Sequence, residues 1–211
     1  MSPLDIIEEM NRQFDDAIIT TDVGQHMMLV SQYAEITEKK QLVMSGGLGT
    51  MGYGFPAAIG AQIGNPEKRV IAVSGDGGIQ MNIQEFATAV LEETPVIACV
   101  FNNTYLGMVR QWQKLFYGKR YGMTNLRAGA LSRRTDGAEF PEYTPDFVKL
   151  AESYGAKGIR VTKTEEISAA FEEAKKNTKT PTLIEFIIDP EEMVYPMIKP
   201  GGTLEDMIMD C

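Results

Sequence analysis

The sequence contains few of the residues that build common catalytic and metal sites. It has one histidine, His26, one tryptophan, Trp112, and two cysteines, Cys99 and Cys211. A single histidine excludes a two-histidine metal site, and it makes any Ser or Cys triad depend on His26 alone. The cysteines lack metal-ligand spacing, so we expect a reduced, cytoplasmic compartment. No G-x-x-x-x-G-K-[ST] sequence occurs, which excludes a P-loop.

Positive charge and long apolar runs are also scarce. The chain has 20 Lys and Arg against 29 Asp and Glu, a net charge of −9. This field repels phosphate, which argues against nucleic acid and membrane as partners and requires any phosphate ligand to be captured locally. No apolar stretch approaches the roughly 18 residues of a membrane span, and the acidic N-terminus is unlike a signal peptide. The 211 residues, 44% of them apolar, are predicted to form a single domain, residues 1–211.

Strand and helix patterns alternate along the chain. Five short, nearly continuous apolar runs predict strands that are buried on both faces: "AIITT", "RVIAVSG", "TPVIACVF", "GIRV" and "TLIEFII". Ser2 and Pro3 predict the start of an N-terminal helix, and helical spacing predicts further helices at residues 51–63, 82–92, 105–117, 145–154 and 165–176. The alternation predicts an α/β fold, a doubly wound, mostly parallel sheet with helices on both faces. "LRAGALSRRTDGAEFPEY", which includes Asp136 and Gly137, is predicted to be a surface loop.

Four polar, glycine-rich sequences follow predicted strands: "TTDVGQH", "SGGLGTMGYG", "SGDGG" and "FNNTYLGM". Each alone is an ordinary turn former. In an open parallel sheet, however, ligands bind where the strands end, so the four together predict one binding site.

The sequence around Asp76 indicates the chemistry of that site. Gly75, Gly77 and Gly78 let the backbone bend sharply and leave N–H groups free to meet an anion. Asp76 would repel that anion unless a cation lay between them, and Mg²⁺ takes such oxygen ligands together with phosphates. At the tip of the next strand, Asn102 and Asn103 can add a neutral amide oxygen. The pattern therefore predicts a magnesium site for a diphosphate.

Two other features allow alternative interpretations. "GLGTMG" at residues 47–52 matches the G-x-G-x-x-G spacing of dinucleotide sites. The preceding "QLVMSG" is a poor strand, however, and Pro56 comes early in the following helix, so we rank this interpretation low. His26 follows the first predicted strand, a position that suits a structural hydrogen bond and a ligand contact equally well.

The two-part pattern has a known counterpart. Gly75-Asp76-Gly77 followed by Asn102-Asn103 resembles the motif of thiamine diphosphate-dependent enzymes. "GGLGTMGYGFPAAIGAQ" and "NNTYLGMVRQWQKLFYGKRY" resemble the C-terminal, diphosphate-binding domain of the acetolactate (acetohydroxyacid) synthase catalytic large subunit. This resemblance covers nearly the whole chain. It implies a thiamine diphosphate-dependent transferase that condenses two pyruvate molecules, or pyruvate with 2-ketobutyrate, in branched-chain amino acid biosynthesis.

The resemblance also assigns the site residues. It makes the Asp76 carboxylate, the Asn103 side-chain oxygen and the Tyr105 carbonyl the magnesium ligands. Met51 would be the apolar wedge that bends the cofactor. The full set of implied cofactor contacts is Val23, Gly24, Gln25, His26, Gly49, Met51, Gly75, Asp76, Gly77, Gly78, Asn103, Tyr105, Gly107 and Met108.

A further set lies on the substrate side, namely Met108, Val109, Trp112 and Phe116. By spacing alone these residues form an ordinary core stripe of a helix. The resemblance places Met108 and Trp112 beside the active site, with Trp112 where the second 2-keto acid is selected. Retention of tryptophan predicts that 2-ketobutyrate is accepted as well as pyruvate.

The family's catalytic subunit has two further domains, which these 211 residues do not include. One supplies, across a subunit interface, the glutamate that protonates the cofactor's pyrimidine; the other binds FAD, which we expect only in the full-length enzyme. We therefore expect this chain to bind cofactor with little or no turnover. Expected partners are a second copy or a chain carrying the pyrimidine-side domain, and a regulatory small subunit. Two alternatives remain: a subunit of a split thiamine-dependent 2-keto acid decarboxylase, and a non-catalytic assembly module.

Overall fold

Six parallel strands form the central sheet of the computed structural model, which describes residues 1–126 and 145–210. The strands are Ile18–Thr21 (β1), Gln41–Met44 (β2), Val70–Gly75 (β3), Ile97–Asn102 (β4), Lys157–Val161 (β5) and Thr182–Ile187 (β6). Their spatial order is β2-β1-β3-β4-β6-β5, and every neighbouring pair is parallel. The predicted α/β fold with a parallel sheet is confirmed.

The helices alternate with the strands. They are Pro3–Gln13 (α1), Gln25–Tyr33 (α2), Gly54–Gly64 (α3), Asp76–Ile79 (α4), Glu85–Leu91 (α5), Gly107–Phe116 (α6), Phe147–Ser153 (α7) and Ile167–Lys176 (α8). Single 3₁₀ turns occur at Gln80–Asn82, Thr164–Glu166 and Leu204–Asp206. Two-residue strands, Met197–Ile198 (β7) and Met207–Ile208 (β8), pair as an antiparallel ribbon. Within the described ranges, every helix is too short or too polar to cross a membrane.

Apolar side chains cover both faces of the sheet. On β3, Ile71 and Val73 pack in one core cluster with α1, α2 and α8. Val70 and Ala72 pack in a second cluster with α3, α5 and α7. Successive strand residues point to opposite faces, so a strand covered by helices on both sides is apolar at nearly every position. This packing explains the continuous apolar runs of the sequence.

The first residues of the helices show which local sequence signals predict where a helix begins. Ser2 caps α1, its side chain accepts a hydrogen bond from the Leu4 N–H, and Pro3 is the first helical residue, as predicted. The helix predicted from residue 51 begins only at Gly54, because Gly52 has φ +85° and cannot be helical. Helix α2 was not predicted at all, since its apolar residues run consecutively at positions 27–30 instead of at helical spacing.

One strand prediction was wrong. "QLVMSG" resembles a strand poorly in sequence, yet Gln41–Met44 is β2 and pairs in parallel with β1 at the edge of the sheet. Its side chains are exposed or only half-buried, because it lies at the edge of the sheet, and its apolar run is only three residues long, Leu42 to Met44. The predicted loop around Asp136 and Gly137, and Cys211, lie outside the described residues.

Candidate cofactor site

The four polar sequences at the strand ends meet at one edge of the sheet. They follow β1, β2, β3 and β4, which are consecutive neighbours in the order β2-β1-β3-β4. The chain proceeds from β1 to β2 on one side and to β3 on the other, so the strand order reverses between β1 and β3, where α/β sheets bind ligands. A cavity of about 200 Å³ opens there. Every cofactor contact implied by the resemblance lines this cavity except Gly49.

Asp76 lies at the start of α4, directly after β3, and is 4% exposed. Its Oδ1 accepts a hydrogen bond of 2.9 Å from the Gly77 N–H. Its Oδ2 is buried and accepts none from the described residues. Burial raises the pKa of Asp76 to about 7. A buried carboxylate oxygen without a donor is unfavourable, and a cation bound at this oxygen would remove that cost.

The two asparagines after β4 differ in their contacts. Asn102 donates to Glu185 Oε1 of β6 at 2.7 Å, and its side-chain oxygen accepts from the Thr104 N–H. The Asn103 side-chain oxygen accepts from the Tyr105 N–H at 3.0 Å. An amide oxygen has two acceptor positions, so that of Asn103 can still bind a cation. Asn103 and Tyr105 line the cavity with Asp76, whereas Asn102 connects two strands.

Glycines are required where the chain segments approach one another closely. A Cβ on Gly77 would lie 2.7 Å from Leu106 Cδ2 and 3.4 Å from Met51 Cε. A Cβ on Gly107 would lie 2.1 Å from Gln25 Oε1. These contacts leave no room for a side chain. They also show that the Met51 methyl group faces Gly77, between the parts of the site assigned to pyrimidine and to diphosphate.

Gln25 and His26 begin α2 and line the cavity. The Gln25 amide donates to Gln111 Oε1 at 2.8 Å and to the Glu192 carbonyl at 3.1 Å. His26 Nε2 is paired with Asp22 Oδ1. His26 therefore has the structural hydrogen bond that one interpretation expected, while it also faces the cavity. Contact of Gln25 and His26 with a diphosphate stays a prediction.

The remaining predicted residues occupy different surroundings. Gly49, with φ +61°, is close to the Val23 side chain and does not line the cavity. Val109 lines the cavity, and with Met108 and Trp112 it also lines a second, open groove. Phe116 contacts Trp112 edge to face, with 5.9 Å between ring centroids.

Met108 of this stripe packs against the core, but Trp112, and Val109 beside the stripe, are not core residues. Val109 is 49% and Trp112 is 37% exposed. The buried side chain of α6 is that of a polar residue, Gln111. Spacing alone cannot distinguish a core face from an apolar face that borders a groove.

The sequence did not indicate several of the cavity residues. Ile188 directly follows β6, so the strand-end argument could have found it. Phe101 and Leu106 belong to "FNNTYLGM", so the sequence indicated their segment without singling out these two residues. Pro3, Leu29 and Glu192 gave no signal, because they reach the cavity only through tertiary packing.

The charge distribution of the cavity constrains its ligand. Within residues 1–126 and 145–210, the residues that line the cavity include Asp76 and Glu192 but neither lysine nor arginine. In the described part of the chain, no three His, Cys, Asp or Glu side chains converge to hold a metal. A magnesium ion with one carboxylate would complete its coordination with phosphate and water oxygens. The residues present fit a cation shared with a phosphate-bearing ligand.

Comparison with known proteins identifies the kind of domain. A family model described as thiamine pyrophosphate enzyme, C-terminal TPP binding domain, matches residues 22–186. The chain belongs to this family. The match runs from Asp22, at the end of β1, to Phe186 in β6, and so includes the four strand ends that surround the cavity. Thiamine diphosphate is thus the cofactor of this family of domains.

Full-length relatives support the more specific resemblance. The chain is 42% identical over 205 residues to a probable acetolactate synthase large subunit of Methanocaldococcus jannaschii, covering 97% of this chain and 32% of the relative. It is 42% identical over 208 residues to the acetolactate synthase large subunit of Corynebacterium glutamicum, with 98% and 32% covered. For the isozyme 3 large subunit of Escherichia coli the identity is 40% over 194 residues, with 91% and 31% covered. The chain therefore spans about a third of the length of these relatives.

Proposed function

We propose that this domain holds thiamine diphosphate through a Mg²⁺ ion bound by the Asp76 carboxylate, the Asn103 side-chain oxygen and the Tyr105 carbonyl. The observation that carries the proposal is the buried Oδ2 of Asp76, which accepts no hydrogen bond from the described residues and belongs to a side chain that lines the cavity. Because no lysine or arginine among the described residues lines that cavity, a metal ion is the natural partner for the negative charge of both the carboxylate and the diphosphate.

The chain's own side chains orient the cofactor. Met51 lies opposite Gly77 and would limit the conformations open to a molecule that passes between them. Met108 and Val109 supply an apolar wall that reduces access of water to the reacting end. Bound thiamine diphosphate supplies the nucleophilic carbon and the electron sink for chemistry at a 2-keto group.

For the whole enzyme we infer acetolactate synthase activity, the condensation of two pyruvate molecules or of pyruvate with 2-ketobutyrate in branched-chain amino acid biosynthesis. The support is about 40% identity to acetolactate synthase large subunits over nearly the whole chain. These relatives favour this assignment over a split 2-keto acid decarboxylase. The presence of both Asp76 and Asn103 in one cavity argues against a non-catalytic assembly module.

The remaining proposals concern parts that these residues do not supply. A polypeptide of this sequence is expected to bind cofactor without sustained turnover, because the resemblance assigns the pyrimidine-protonating glutamate to another domain. FAD is expected only in the full-length enzyme. A second copy or a partner chain with the pyrimidine-side domain, and a regulatory small subunit, are the proposed partners, and a cytoplasmic location stays a prediction.

Calorimetry tests the cofactor proposal directly. Thiamine diphosphate is titrated into the chain with Mg²⁺ and then with a chelator, and binding is expected only with Mg²⁺. Asp76→Asn should abolish this metal-dependent binding, whereas Asp16→Asn should not, since Asp16 is exposed before β1 and its substitution removes the same charge. Equal affinity with and without Mg²⁺, or in Asp76→Asn, would show that Asp76 does not bind the metal.

A selectivity experiment tests the substrate proposal in the full-length enzyme that contains this domain. Trp112→Leu removes the ring that contacts Phe116 at the edge of the open groove. We expect a lower ratio of the 2-ketobutyrate product to the pyruvate product in competition, with pyruvate condensation retained. An unchanged product ratio would exclude Trp112 as the selecting residue.

A further inference from the structure

Asp22 is a second buried carboxylate, located directly after β1. It is fully buried and does not line the cavity. Its Oδ1 is paired with His26 Nε2. Its Oδ2 accepts hydrogen bonds from the Gly52 N–H at 3.0 Å and from the Ser74 hydroxyl at 2.9 Å. Three donors from three separate chain segments thus converge on one side chain.

Each of these segments carries a part of the cofactor site. His26 and the residue before it face the cavity at the start of α2. Gly52 follows Met51. Its N–H donates to Asp22 and its carbonyl accepts a hydrogen bond from the Asn82 side chain, so both backbone polar groups of Gly52 are hydrogen-bonded. Ser74 stands two residues before Asp76.

Asp22 also approaches the turn that begins α4. A Cβ on Gly78 would lie only 2.2 Å from Asp22 Oδ2. The carboxylate therefore lies directly beneath the glycine turn that carries Asp76. One buried group contacts the segments assigned to the diphosphate, to the pyrimidine wedge and to the metal.

We propose that Asp22 is a positioning residue that fixes the tautomer and ring orientation of His26 and joins the Met51 turn to the Asp76 turn. Because the carboxylate accepts at Oδ1, the hydrogen of a neutral imidazole must be on Nε2. Nδ1 then lies toward Gly24 and Gly75, where a Cβ would come within 2.9 and 3.2 Å of it. Both glycines line the cavity.

The number of acceptor atoms makes the proposal specific. A carboxylate offers two acceptor oxygens to the three donors, whereas an asparagine offers one oxygen and an NH₂ group. The Gly52 N–H can only donate, so in Asp22→Asn the amide oxygen should remain on the Gly52 side. The NH₂ group would then face His26 Nε2, which must become an acceptor. We therefore expect Asp22→Asn to move the hydrogen of the neutral ring from Nε2 to Nδ1.

Nuclear magnetic resonance measures this tautomer without a ligand. His26 is the only histidine, so ¹⁵N-histidine labelling gives one ring, observed at a pH at which it is neutral. The wild type and the charge-matched control Asp16→Asn should show the Nε2–H form, and Asp22→Asn the Nδ1–H form. The Nδ1–H form in the wild type, or an unchanged tautomer in folded Asp22→Asn, would overturn the proposal. The wild-type measurement can overturn the proposal even if the variant does not fold.

The consequence for the cofactor rests on the proposed function and is measured separately. Substitution of groups that orient metal ligands commonly lowers affinity by roughly 10–100-fold. Calorimetry with Mg²⁺ should show a loss of this size for Asp22→Asn and none for Asp16→Asn. Unchanged affinity in Asp22→Asn would overturn the positioning role. If the wild type does not bind thiamine diphosphate, the proposed function is contradicted. The tautomer of His26 then still tests the role of Asp22, because that measurement needs no ligand.

Discussion

Asp22 and Asp76 are both buried carboxylates at strand ends, but their oxygens are satisfied differently. Asp22 accepts from three donors, which compensate for its removal from water. Asp76 accepts from Gly77 at one oxygen and from no described residue at the other. The first arrangement is typical of a structural carboxylate and the second of a ligand for a cation.

The unsatisfied carboxylate should make stability depend on pH. Burial raises the pKa of Asp76 from 3.8 to about 7, so the folded chain binds this proton more tightly than the unfolded chain. Its contribution to the free energy of unfolding is therefore greatest below about pH 4, declines as pH rises to about 7, and is absent above. Asp76→Asn should remove this decline and, without Mg²⁺, stabilise the domain at pH 8 by ~2–3 kcal/mol.

Urea unfolding at pH 5 and pH 8 in the presence of chelator measures this effect. Asp16→Asn serves as the control, since Asp16 is exposed and its substitution should leave the pH dependence of the wild type unchanged. If the free energies of unfolding of the wild type and Asp76→Asn differ by the same amount at both pH values, the prediction is contradicted.

Two glycines give opposite predictions for the same substitution. Gly78→Ala would place a Cβ 2.2 Å from Asp22 Oδ2, so it should destabilise the domain by ~1–3 kcal/mol, as overpacking does. Gly60 is exposed within α3 and has nothing within 4 Å of its Cβ position, so Gly60→Ala should stabilise by ~0.5–1 kcal/mol. Urea unfolding of both variants at one pH tests the pair, and similar effects of the two substitutions would contradict the close approach at Gly78.

At the scale of secondary structure, the sequence was informative where the burial is uniform. The central strands are covered on both faces, and their apolar runs predicted them. Edge strand β2 is only partly buried, and its sequence does not predict it. Nor does the sequence predict α2, because its apolar residues are not spaced as in an amphipathic helix. In both cases the neighbouring elements, rather than the local pattern, determine the structure.

The same distinction applies to the site. Glycines and polar residues at strand ends could be recognised, since the backbone chemistry of such turns is local. The role of Asp22 could not, although "TTDVGQH" contains both Asp22 and its partner His26, because the other two partners, Gly52 and Ser74, come from distant segments. Glu192 reaches the cavity from the chain after β6 and gave no local signal.

Helix α6 holds the segment after β6 through one side chain. Gln111 donates to the Val194 carbonyl at 2.8 Å and accepts from the Val194 N–H at 3.0 Å. It is 1% exposed and also accepts from Gln25. Gln111→Ala should leave these groups unpaired and lower the free energy of unfolding by ~1–3 kcal/mol.

Hydrogen exchange locates the effect of this substitution. The Val194 amide should exchange faster in Gln111→Ala, while the amides of β3 and β4 change only as global stability does. Gln84→Ala is the control, because Gln84 is exposed and its side chain makes only long hydrogen bonds, of 3.4 and 3.5 Å. Unchanged protection of Val194 would show that other contacts hold the segment.

At the scale of the whole molecule, charge and apolar surface act in different places. The net charge of −9 opposes association with anions and of copies with one another. Four of the six described side chains that line the open groove beside the cavity are nevertheless apolar or aromatic, including Val109, Trp112 and Tyr117, which is 60% exposed; the other two are Gln113 and Arg120. An apolar surface of this kind next to a binding site is typical of an interface.

We therefore predict that the isolated chain self-associates through this groove, as the resemblance to a dimeric cofactor site also implies. Val109 is 49% exposed at its rim, and Val109→Asp would place a charge in the contact. Sedimentation equilibrium in physiological salt, which screens the net charge, should show the average mass of the wild type rising with concentration. In Val109→Asp the same rise should require at least ~10-fold higher concentration, a difference of about 1.4 kcal/mol. Leu91→Asp, at an exposed leucine that does not line the groove, should associate like the wild type. A monomeric wild type, or equal loss in both variants, would show that the groove is not a self-association surface.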